Sequence, residues 1–391
     1  MDLASLFEHR TDVCDTNPDW GKALPGGGGV YALTDAEGRL VLLASSESVR
    51  RAVGYRLSPP PEASKKRADL KAVVRRVYWR RTCSPFETAF EFHRVARALM
   101  PGTYLEACAF GPAWFVHVNP SAHLPQFVPV KLLPEAGNAL GPFPTRAAAE
   151  RFIEMLEDLF DLCRYYHILQ QAPHGQPCAY FEMGKCPAPC DGSIPLERYR
   201  EMTAAAAAFG AGLWRAELPR WEQRMRELAQ LRQFEEANRL KQRLQRADWL
   251  RGETCRFVRP VAQFRYLVLQ RGEGTTHVRP FFVRAGCIER GTSVGRKDLP
   301  SAAAGWIEAM RAAGPEDARV DLVLRSEWIW LVSHYLFKGT DAPGLFLGPD
   351  EWPHADHWLP RVNERILRTR PKPDANVESE ANLADRPTQP R

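Results

Sequence analysis

QPCAYFEMGKCPAPCDG, residues 176–192, is the stretch with the clearest chemical signal in this 391-residue sequence. It contains Cys178, Cys186 and Cys190, and Cys163 lies upstream, which gives the spacing C-x14-C-x7-C-x3-C. The glycine and proline residues among them force a tight loop, and four converging thiolates can bind a tetrahedral zinc ion or an iron–sulfur cluster. The spacing differs from the paired CxxC pattern of zinc ribbons and therefore favours a cluster, with zinc as the alternative. Four small buried side chains without a metal are a third interpretation.

The segments on both sides of this loop are predicted to be helical. Thr145 suits an N-cap, and apolar residues recur at helical spacing from Phe152 to Phe160. Downstream, Trp221–Leu250 is rich in Arg, Glu and Gln and carries an apolar stripe that fits a helical hairpin. The seam of this hairpin is formed by Phe234, Ala237, Leu240 and Leu244. Either a partner helix covers this seam, or the seam packs within its own domain.

Length and pattern together predict an α+β protein of three units. With 391 residues and 45% hydrophobic residues, the chain can form two or three domains, each with its own core. We predict a small α/β domain at 1–132, a helical region with the cysteine cluster and the hairpin at 133–253, and a second small α+β domain at 254–366. The Pro-rich, polar segment 367–391 has no aromatic residues and is predicted to be disordered.

Local patterns place individual elements in the two outer units. Turn-forming residues 35–38 join two β-rich stretches and so predict a hairpin. We predict strands at Gly29–Thr34, Arg39–Ala44, Val73–Thr82 and Arg319–Leu324. We predict helices at Ser48–Leu57, Pro85–Met100 and Glu327–Phe337.

Basic residues are concentrated in one part of a chain whose net charge is only +6. Between Arg50 and Arg81 there are 11 Lys or Arg residues and two acidic ones, Glu62 and Asp69. Such a segment suits a polyanion, because neutralising phosphates releases condensed counterions; a solvated loop and helix face is the alternative. The candidate DNA-binding residues are Arg50, Arg51, Lys65, Lys66 and Arg67.

Export and membrane insertion are not indicated by the sequence. The N-terminus lacks a basic region followed by an apolar core, and no stretch approaches the ~18–20 apolar residues of a membrane span. Nine cysteines, an odd number, argue against a disulfide framework. We therefore expect a cytoplasmic protein without a membrane partner. The isolated cysteines are interpreted as core or incidental residues: Cys14, Cys83, Cys108, Cys255 and Cys287.

Three regions in order resemble the UvrC excinuclease family and its short Cho-type relatives. LGPF at 140–143, LFDLC at 159–163 and the cysteine stretch followed by Tyr199 are similar to the cysteine-containing region of that family. RQFEEANRLKQRLQ at 232–245 resembles the UVR motif. GVY at 29–31, DAEGRLVLLASSESVRRAVGYRL at 35–57 and SPFETAFEFHRVARALMP at 84–101 resemble a GIY-YIG nuclease domain. The resemblance covers most of residues 25–290.

The resemblance implies cofactors and partners. The family associates the four cysteines with a 4Fe–4S cluster, so Cys163, Cys178, Cys186 and Cys190 are expected to hold one. It uses the UVR hairpin to dock on the UvrB subunit, which assigns Phe234, Ala237, Leu240 and Leu244 to that contact. It also implies DNA as a ligand. We expect the chain to end before the second nuclease and the helix-hairpin-helix elements of the full-length family members.

The nuclease positions of the family are largely replaced. The family uses two tyrosines, a lysine, an arginine and a helix glutamate that binds one divalent metal. Tyr31 keeps the first phenol, but the other positions fall on Leu42, Ala44, Ser45, Ala52 and Phe92, and a late asparagine falls on Leu105. Arg51 and Glu91 are each one residue away from a family position. A slip of one residue turns a helical side chain by about 100°.

We therefore predict a nucleotide-excision-repair protein that binds DNA and a UvrB-type subunit without an incision activity of its own. The alternative is an active Cho-like endonuclease that makes one incision beside a lesion with Tyr31, Arg51, Glu91 and Mg2+. A further alternative is a DNA-binding protein that senses redox state through its cluster, unconnected to repair.

Overall fold

The computed structural model describes residues 3–13, 18–58, 70–312 and 321–367. Lys65, Lys66 and Arg67 lie outside the described residues, as does the predicted tail apart from Leu367. The described part is an α+β structure, as the sequence predicted, and it is built on three antiparallel sheets, one of which lies in the middle region that was predicted to be helical. We call the three sheets with their helices the N-terminal unit (residues 3–107), the middle unit (114–260) and the C-terminal unit (265–367).

The N-terminal unit is a four-stranded sheet in the order β1-β4-β2-β3 with helices on both sides. Its strands are β1 His9–Asp12, β2 Gly29–Thr34, β3 Leu40–Ser46 and β4 Arg76–Arg81, and its helices are α1 Leu3–Leu6, α2 Val49–Leu57, α3 Pro85–Leu99 and α4 Tyr104–Ala107. The predicted hairpin of β2 and β3 and both longer helices are confirmed. Strand β1 was not predicted, because it is a short, largely exposed polar strand with no alternating apolar pattern.

Strand β2 is central and fully buried, and it distributes its side chains to the two faces of the sheet. Val30 and Ala32 join the core under α3, while Tyr31 and Leu33 join the core under α2. A β-carbon at Gly29 would lie 2.5 Å from the Arg80 carbonyl oxygen, so only glycine allows this approach of β2 to β4. The glycine of the GVY motif therefore has a packing reason.

The middle unit combines a sheet in the order β6-β5-β7-β8 with six helices. The strands are β5 Trp114–Val118, β6 Val128–Val130, β7 Asn138–Phe143 and β8 Arg259–Pro260. The helices are α5 Arg146–Phe160, α6 Tyr166–Leu169, α7 Ala179–Glu182, α8 Leu196–Ala208, α9 Trp214–Gln230 and α10 Phe234–Ala247. This sheet joins strands from both sides of positions 132 and 253, where domain boundaries were predicted.

Helix α5 and the break between α8 and α9 give the middle unit its core. The Thr145 side chain accepts a hydrogen bond from the Ala148 N–H, which confirms the predicted N-cap. A π-helical turn at Phe209–Leu213 separates α8 from α9, and Gly212 supplies its positive φ of 135°. Short 3-10 turns connect other elements: Pro18–Ala23, Pro189–Asp191, Asp248–Arg251, Glu253–Cys255, Val261–Gln263 and Gly339–Asp341.

The C-terminal unit is a sheet in the order β11-β10-β9-β13, with β12 also paired to β10. The strands are β9 Arg265–Arg271, β10 His277–Arg284, β11 Cys287–Arg290, β12 Val294–Gly295 and β13 Leu345–Leu347, and the helices are α11 Leu299–Ala312, α12 Leu322–Leu336 and α13 Ala355–Val362. A second π-helical turn follows at Asn363–Leu367.

The strand predicted at Arg319–Leu324 is wrong in its described part. Helix α12 already begins at Leu322, because the Asp321 carboxylate accepts hydrogen bonds from the N–H groups of Val323 and Leu324. This cap satisfies two of the free donors at the helix N-terminus and outweighs the β-branched character of the local sequence.

Helix α3 lies between the N-terminal and C-terminal units and belongs to both cores. One stripe, with Phe92 and Val95, packs on the first sheet. Another stripe, with Phe86 and Phe90, packs in the core of the C-terminal unit. Residues i, i+4, i+7 and i+11 of a helix share one face, and His93 and Arg97 continue the second stripe toward α12.

Candidate functional site

Tyr31 lies in the core between β2 and α2. Its side chain is 2% exposed, and its strand neighbours are Ala44 on β3 and Trp79 on β4. Leu42 and Ala44, at the family's second-motif positions, pack against the same core. Leu42 therefore places an apolar side chain in the same core as Tyr31, where the nuclease motif has a second tyrosine.

Glu91 lies on the other side of the same sheet. Its side chain is 3% exposed and is bound by Arg80, whose neighbour Trp79 packs against Tyr31. Successive residues of a strand point to opposite faces. The structure therefore does not bring Tyr31 and Glu91 together at one phosphate-sized site.

The basic candidates on α2 lie on the Tyr31 side of the sheet. Arg51 is exposed, because Val49, Val53 and Leu57 form the buried stripe of the helix. The Arg50 guanidinium donates hydrogen bonds to the carbonyl oxygens of Leu24 at 2.8 Å and Lys22 at 3.1 Å. Arg50 thus holds the loop before β2, while Arg51 is presented at the surface.

Two glutamates of α3 form a buried ionic cluster that was not predicted from the sequence. Glu87 and Glu91 are one turn apart on the same helix face and are 0% and 3% exposed. Four arginines surround them, two from the N-terminal unit and two from the C-terminal unit. We call the group the Glu87–Glu91 cluster; its members are Glu87, Glu91, Arg80, Arg94, Arg279 and Arg290. The signal in the sequence was two acids at i and i+4 within an apolar helix.

The two glutamates are held differently. One oxygen of Glu87 accepts a hydrogen bond from the Cys83 N–H at 2.8 Å, while the Ser84 hydroxyl caps the Glu87 N–H. Burial raises the pKa of Glu87, although Arg279 and Arg290 oppose that shift. Glu91 instead binds the Arg94 guanidinium at 3.0 Å. Both carboxylates are thereby committed to protein partners.

A second buried polar contact joins α3 to α12. His93 Nε2 lies 2.9 Å from a Glu327 carboxylate oxygen, and the Tyr104 hydroxyl donates to the other oxygen. Burial and the adjacent Glu327 carboxylate raise the pKa of Tyr104 to about 12. Arg97 adds an ion pair to Asp321 at 2.8 Å. The C-terminal unit therefore contacts α3 through polar as well as apolar side chains.

The four predicted metal-binding cysteines lie in one loop region at the end of α5. Cys163, Cys186 and Cys190 are buried, and Cys178 is half-buried. The loop is fixed by local contacts, such as the Gly175 N–H to the Cys190 carbonyl oxygen at 2.8 Å. The Cys163 N–H also donates to the Tyr199 hydroxyl at 3.3 Å.

The pKa values of Cys163 and Cys186 are linked through their side chains. The interaction with Cys163 lowers the pKa of Cys186 to about 7, whereas the same interaction, together with burial, raises the pKa of Cys163. Burial raises the pKa of Cys190. Within the part of the chain that the structure describes, no group of three or more His, Cys, Asp or Glu side chains is arranged as a metal site. The four thiols are the kind of ligand that zinc or an iron–sulfur cluster takes, but in the described residues they are not arranged around one common point.

Glu157, on α5 beside this loop, gives a pH-dependent prediction. Burial raises its pKa to about 7 from 4.5, although Arg164 opposes the shift. Because the folded state binds this proton more tightly than the unfolded chain, stability falls as the pH rises from about 4.5 to about 7. Glu157→Gln is expected to remove this fall and to stabilise the protein at pH 8 by about 1–2 kcal/mol, allowing for screening.

Thermal unfolding at pH 4 and pH 8 checks the Glu157 prediction. The exposed Glu236 on α10 offers the same substitution without the burial, so Glu236→Gln should leave both values unchanged. Equal stabilisation by Glu157→Gln at the two pH values would contradict the assigned pKa.

The predicted hairpin is formed by α9 and α10, which turn at residues 231–233. Leu231 and Phe234 at this turn are 65% and 66% exposed. The rest of the predicted seam is turned inward: Ala237 is 8% exposed, Leu240 is partly buried, and Leu244 packs against the core of the middle unit. The apolar surface that the hairpin offers is therefore its tip.

Membrane-spanning helices are not found in the described ranges. No helix there combines the length and the apolar character that crossing a bilayer requires.

The comparisons with known proteins concern the middle unit first. Residues 113–209, which include the cysteine loop, match the family model of the UvrC/Cho excinuclease middle domain. The UvrABC system protein C of Trichlorobacter lovleyi is 24% identical over 272 residues, which cover 69% of this chain and 44% of that protein. The protein of the same name from Deinococcus radiodurans is 25% identical over 230 residues, 58% of this chain and 34% of that protein.

A shorter match is closer in sequence. The UvrABC system protein C of Desulfitobacterium hafniense is 32% identical over 123 residues, 32% of this chain and 19% of that protein. No solved structure matches the chain significantly. The chain spans less than half the length of these relatives. It is therefore a UvrC-like protein, with a region similar to the UvrC/Cho middle domain at 113–209 and similarity to UvrABC system protein C over most of its length.

Proposed function

We propose that this protein acts in nucleotide excision repair, where it binds DNA and a UvrB-type subunit and makes no incision of its own. The observation that carries the proposal is the separation of Tyr31 and Glu91 on opposite faces of one sheet. Phosphodiester hydrolysis needs an activated nucleophile and neutralised charge at the same phosphate. The role in repair is inferred from the UvrC-like region that the chain shares with proteins named for the UvrABC system.

The loss of incision is supported by the surroundings of both residues. Tyr31 is buried among apolar side chains, and the carboxylate of Glu91 is already bound by Arg94 and Arg290. Phe92, at the family's metal-binding position, packs in the core under α3. Removing one group that stabilises a transition state commonly costs orders of magnitude in rate, and several are replaced here.

The tip of the α9–α10 hairpin is the proposed contact with the UvrB-type subunit. Leu231 and Phe234 expose two large apolar side chains three residues apart, at the turn between α9 and α10. Glu235 and Glu236 follow at the start of α10. An exposed aromatic residue within a polar surround is the composition of an interface hot spot.

Phe234→Asp is expected to abolish capture of the UvrB-type subunit. The change removes the aromatic ring and places a charge where the partner would be desolvated, so affinity should fall by about 30-fold or more, as for a hot-spot residue. Leu132→Asp is the matched control, because Leu132 is 45% exposed between β6 and β7, outside the hairpin and outside the cysteine loop. Surface-immobilised protein and purified UvrB give the two dissociation constants; unchanged binding of Phe234→Asp would restrict the hairpin to an internal role.

DNA is proposed to bind on the α2 side of the N-terminal unit. Arg51 is exposed on α2, and Arg81 is exposed at the end of β4 on the face opposite to Arg80. Phosphate contacts need accessible cations rather than a catalytic geometry. Arg50 remains a candidate despite its two hydrogen bonds to backbone oxygens, and Lys65, Lys66 and Arg67 follow α2 in the sequence.

A 4Fe–4S cluster bound by Cys163, Cys178, Cys186 and Cys190 is proposed as a structural element of the middle unit, with zinc as the alternative. The donor set supports it, because three of the four thiols are buried in one loop within the matched family region. Soft thiolate ligands select zinc or iron–sulfur clusters. The cluster would tie the loop to the end of α5 and take no part in chemistry on DNA.

Incision of an end-labelled, lesion-bearing duplex tests the proposal. The whole chain is incubated with UvrA, UvrB, ATP and Mg2+, and cleavage and complex formation are followed on the same DNA. A retained complex without a cut is expected. A discrete cut that Tyr31→Phe removes would overturn the proposal and favour the Cho-like endonuclease, for which the placement of Tyr31 and Arg51 on one side of the sheet is the specific support.

A further inference from the structure

The Glu87–Glu91 cluster joins two units that are distant in sequence. Arg290 of β11 bridges both carboxylates, with Nε 3.1 Å from Glu87 Oε1 and Nη1 3.3 Å from Glu91 Oε1. Arg279 of β10 lies 3.5 Å from the same Glu87 oxygen, and its side chain is 6% exposed. The C-terminal unit therefore inserts two guanidinium groups against α3.

The geometry at Glu87 indicates a cation-binding position. Glu87 Oε1 is buried and accepts no hydrogen bond from the described residues, and Arg279 Nε likewise donates none to them. Their contact is ionic rather than a well-formed hydrogen bond, although the second Glu87 oxygen is satisfied by the Cys83 N–H. Two buried carboxylates one helical turn apart offer the oxygen ligands that divalent cations prefer, and here guanidinium groups lie against them instead.

Burial makes a counter-charge obligatory at this position. Two carboxylates removed from water repel each other and destabilise the folded state unless cations neutralise them. Of the two glutamates, Arg80 and Arg94 contact only Glu91, at 3.7 Å and 3.0 Å, and Arg80 also pairs with Glu8 at 3.1 Å. Glu87 therefore depends on the arginines of the C-terminal unit. Arginine stays charged at any physiological pH, so this neutralisation is permanent.

We propose that Arg290, which bridges Glu87 and Glu91, and Arg279, which contacts Glu87, act as a built-in counter-cation where two buried carboxylates would otherwise attract a divalent metal ion. The C-terminal unit thereby closes the α3 face of the N-terminal unit and keeps it free of metal. The apolar contacts of Phe86 and Phe90 and the His93–Glu327 contact hold the same interface. This role is independent of DNA, of UvrB and of excision repair.

Binding of Mn2+ to the whole chain tests the proposal. Mn2+ is titrated into three proteins, and the free ion is measured by electron paramagnetic resonance. The proteins are the wild type, the double variant Arg279→Gln/Arg290→Gln, and a quadruple variant that adds Glu87→Gln and Glu91→Gln. The double variant is expected to bind one Mn2+ about tenfold or more tightly than the wild type, and the quadruple variant should lose that gain. Equal binding by wild type and double variant would overturn the proposal.

A stability cycle covers the case in which the double variant folds poorly. Arg290→Gln alone leaves the buried Glu87 carboxylate without its nearest cation and should lower the Tm, whereas adding Glu87→Gln removes that charge and should restore most of the loss. Independent, additive effects of the two changes would show that Arg290 does not neutralise Glu87, which also overturns the proposal. Neither experiment contains DNA or UvrB, so its failure leaves the repair function untouched.

Discussion

Phe86→Ala is expected to lower the free energy of unfolding by about 3–5 kcal/mol, the range for a fully buried phenylalanine. Phe86 of α3 is 0% exposed. Its ring makes edge contacts in the C-terminal unit with Phe281 at 5.1 Å, Tyr335 at 5.4 Å and Phe346 at 5.7 Å between ring centres. The truncation therefore leaves a cavity between two units rather than within one. Urea unfolding followed by tryptophan fluorescence measures the loss.

Phe181→Ala is the control for this variant, because it removes the same ring from a side chain that is 41% exposed. Its effect should stay within about 1 kcal/mol. If the free energies of unfolding of the two variants differ by less than about 1 kcal/mol, α3 does not contribute to the core of the C-terminal unit. Two separate unfolding transitions in Phe86→Ala would be a further sign that the interface has opened.

Cys186→Ala is expected to remove the proposed cofactor altogether. Cys186 is 6% exposed and its pKa is linked to that of Cys163, so it is the thiol most closely tied to a second ligand. A four-thiolate site that loses one ligand loses most of its affinity, and the binding free energy of the metal is also folding free energy for the loop. Visible absorbance, iron and acid-labile sulfide should fall together, with a lower Tm.

Cys255→Ala provides the matched control. Cys255 is 2% exposed and buried in the core of the middle unit, but it is not one of the four candidate ligands. Its loss should leave metal content unchanged. Zinc in place of iron in the wild type, lost in Cys186→Ala, would select the alternative cofactor. Identical metal content and Tm in Cys186→Ala and the wild type would end the cofactor proposal.

The sequence predicted those elements whose reason is local. The β2–β3 hairpin, α2 and α3 have turn residues, caps and apolar periodicity within a few residues, and the structure confirms them. Strand β1 has none of these and exists through its pairing with β4, more than 60 residues away. The apparent strand at Arg319–Leu324 failed because one side chain, Asp321, caps a helix there.

The site was predictable in its components and not in its arrangement. Motif positions singled out Tyr31, Arg51 and Glu91, but only the sheet shows that Glu91 lies on the other face. Its partner Arg290 is about 200 residues away in sequence, and no spacing rule connects them. Likewise, helical periodicity found the apolar residues of α10, whereas their burial depends on what the middle unit packs against them.

Because α3 is buried in two cores, the loss of the family's metal-binding glutamate from this helix is difficult to reverse. Phe92 of α3 is 8% exposed and packs on the sheet of the N-terminal unit. Phe92→Glu would therefore place a carboxylate in an apolar core and lower the free energy of unfolding by several kcal/mol. Leu42→Tyr would not relieve that cost, because Leu42 lies on the other face of the sheet. A metal ligand gained at this position by Phe92→Glu would therefore come with a loss of stability before any gain in activity. Selection for stability alone would disfavour that substitution.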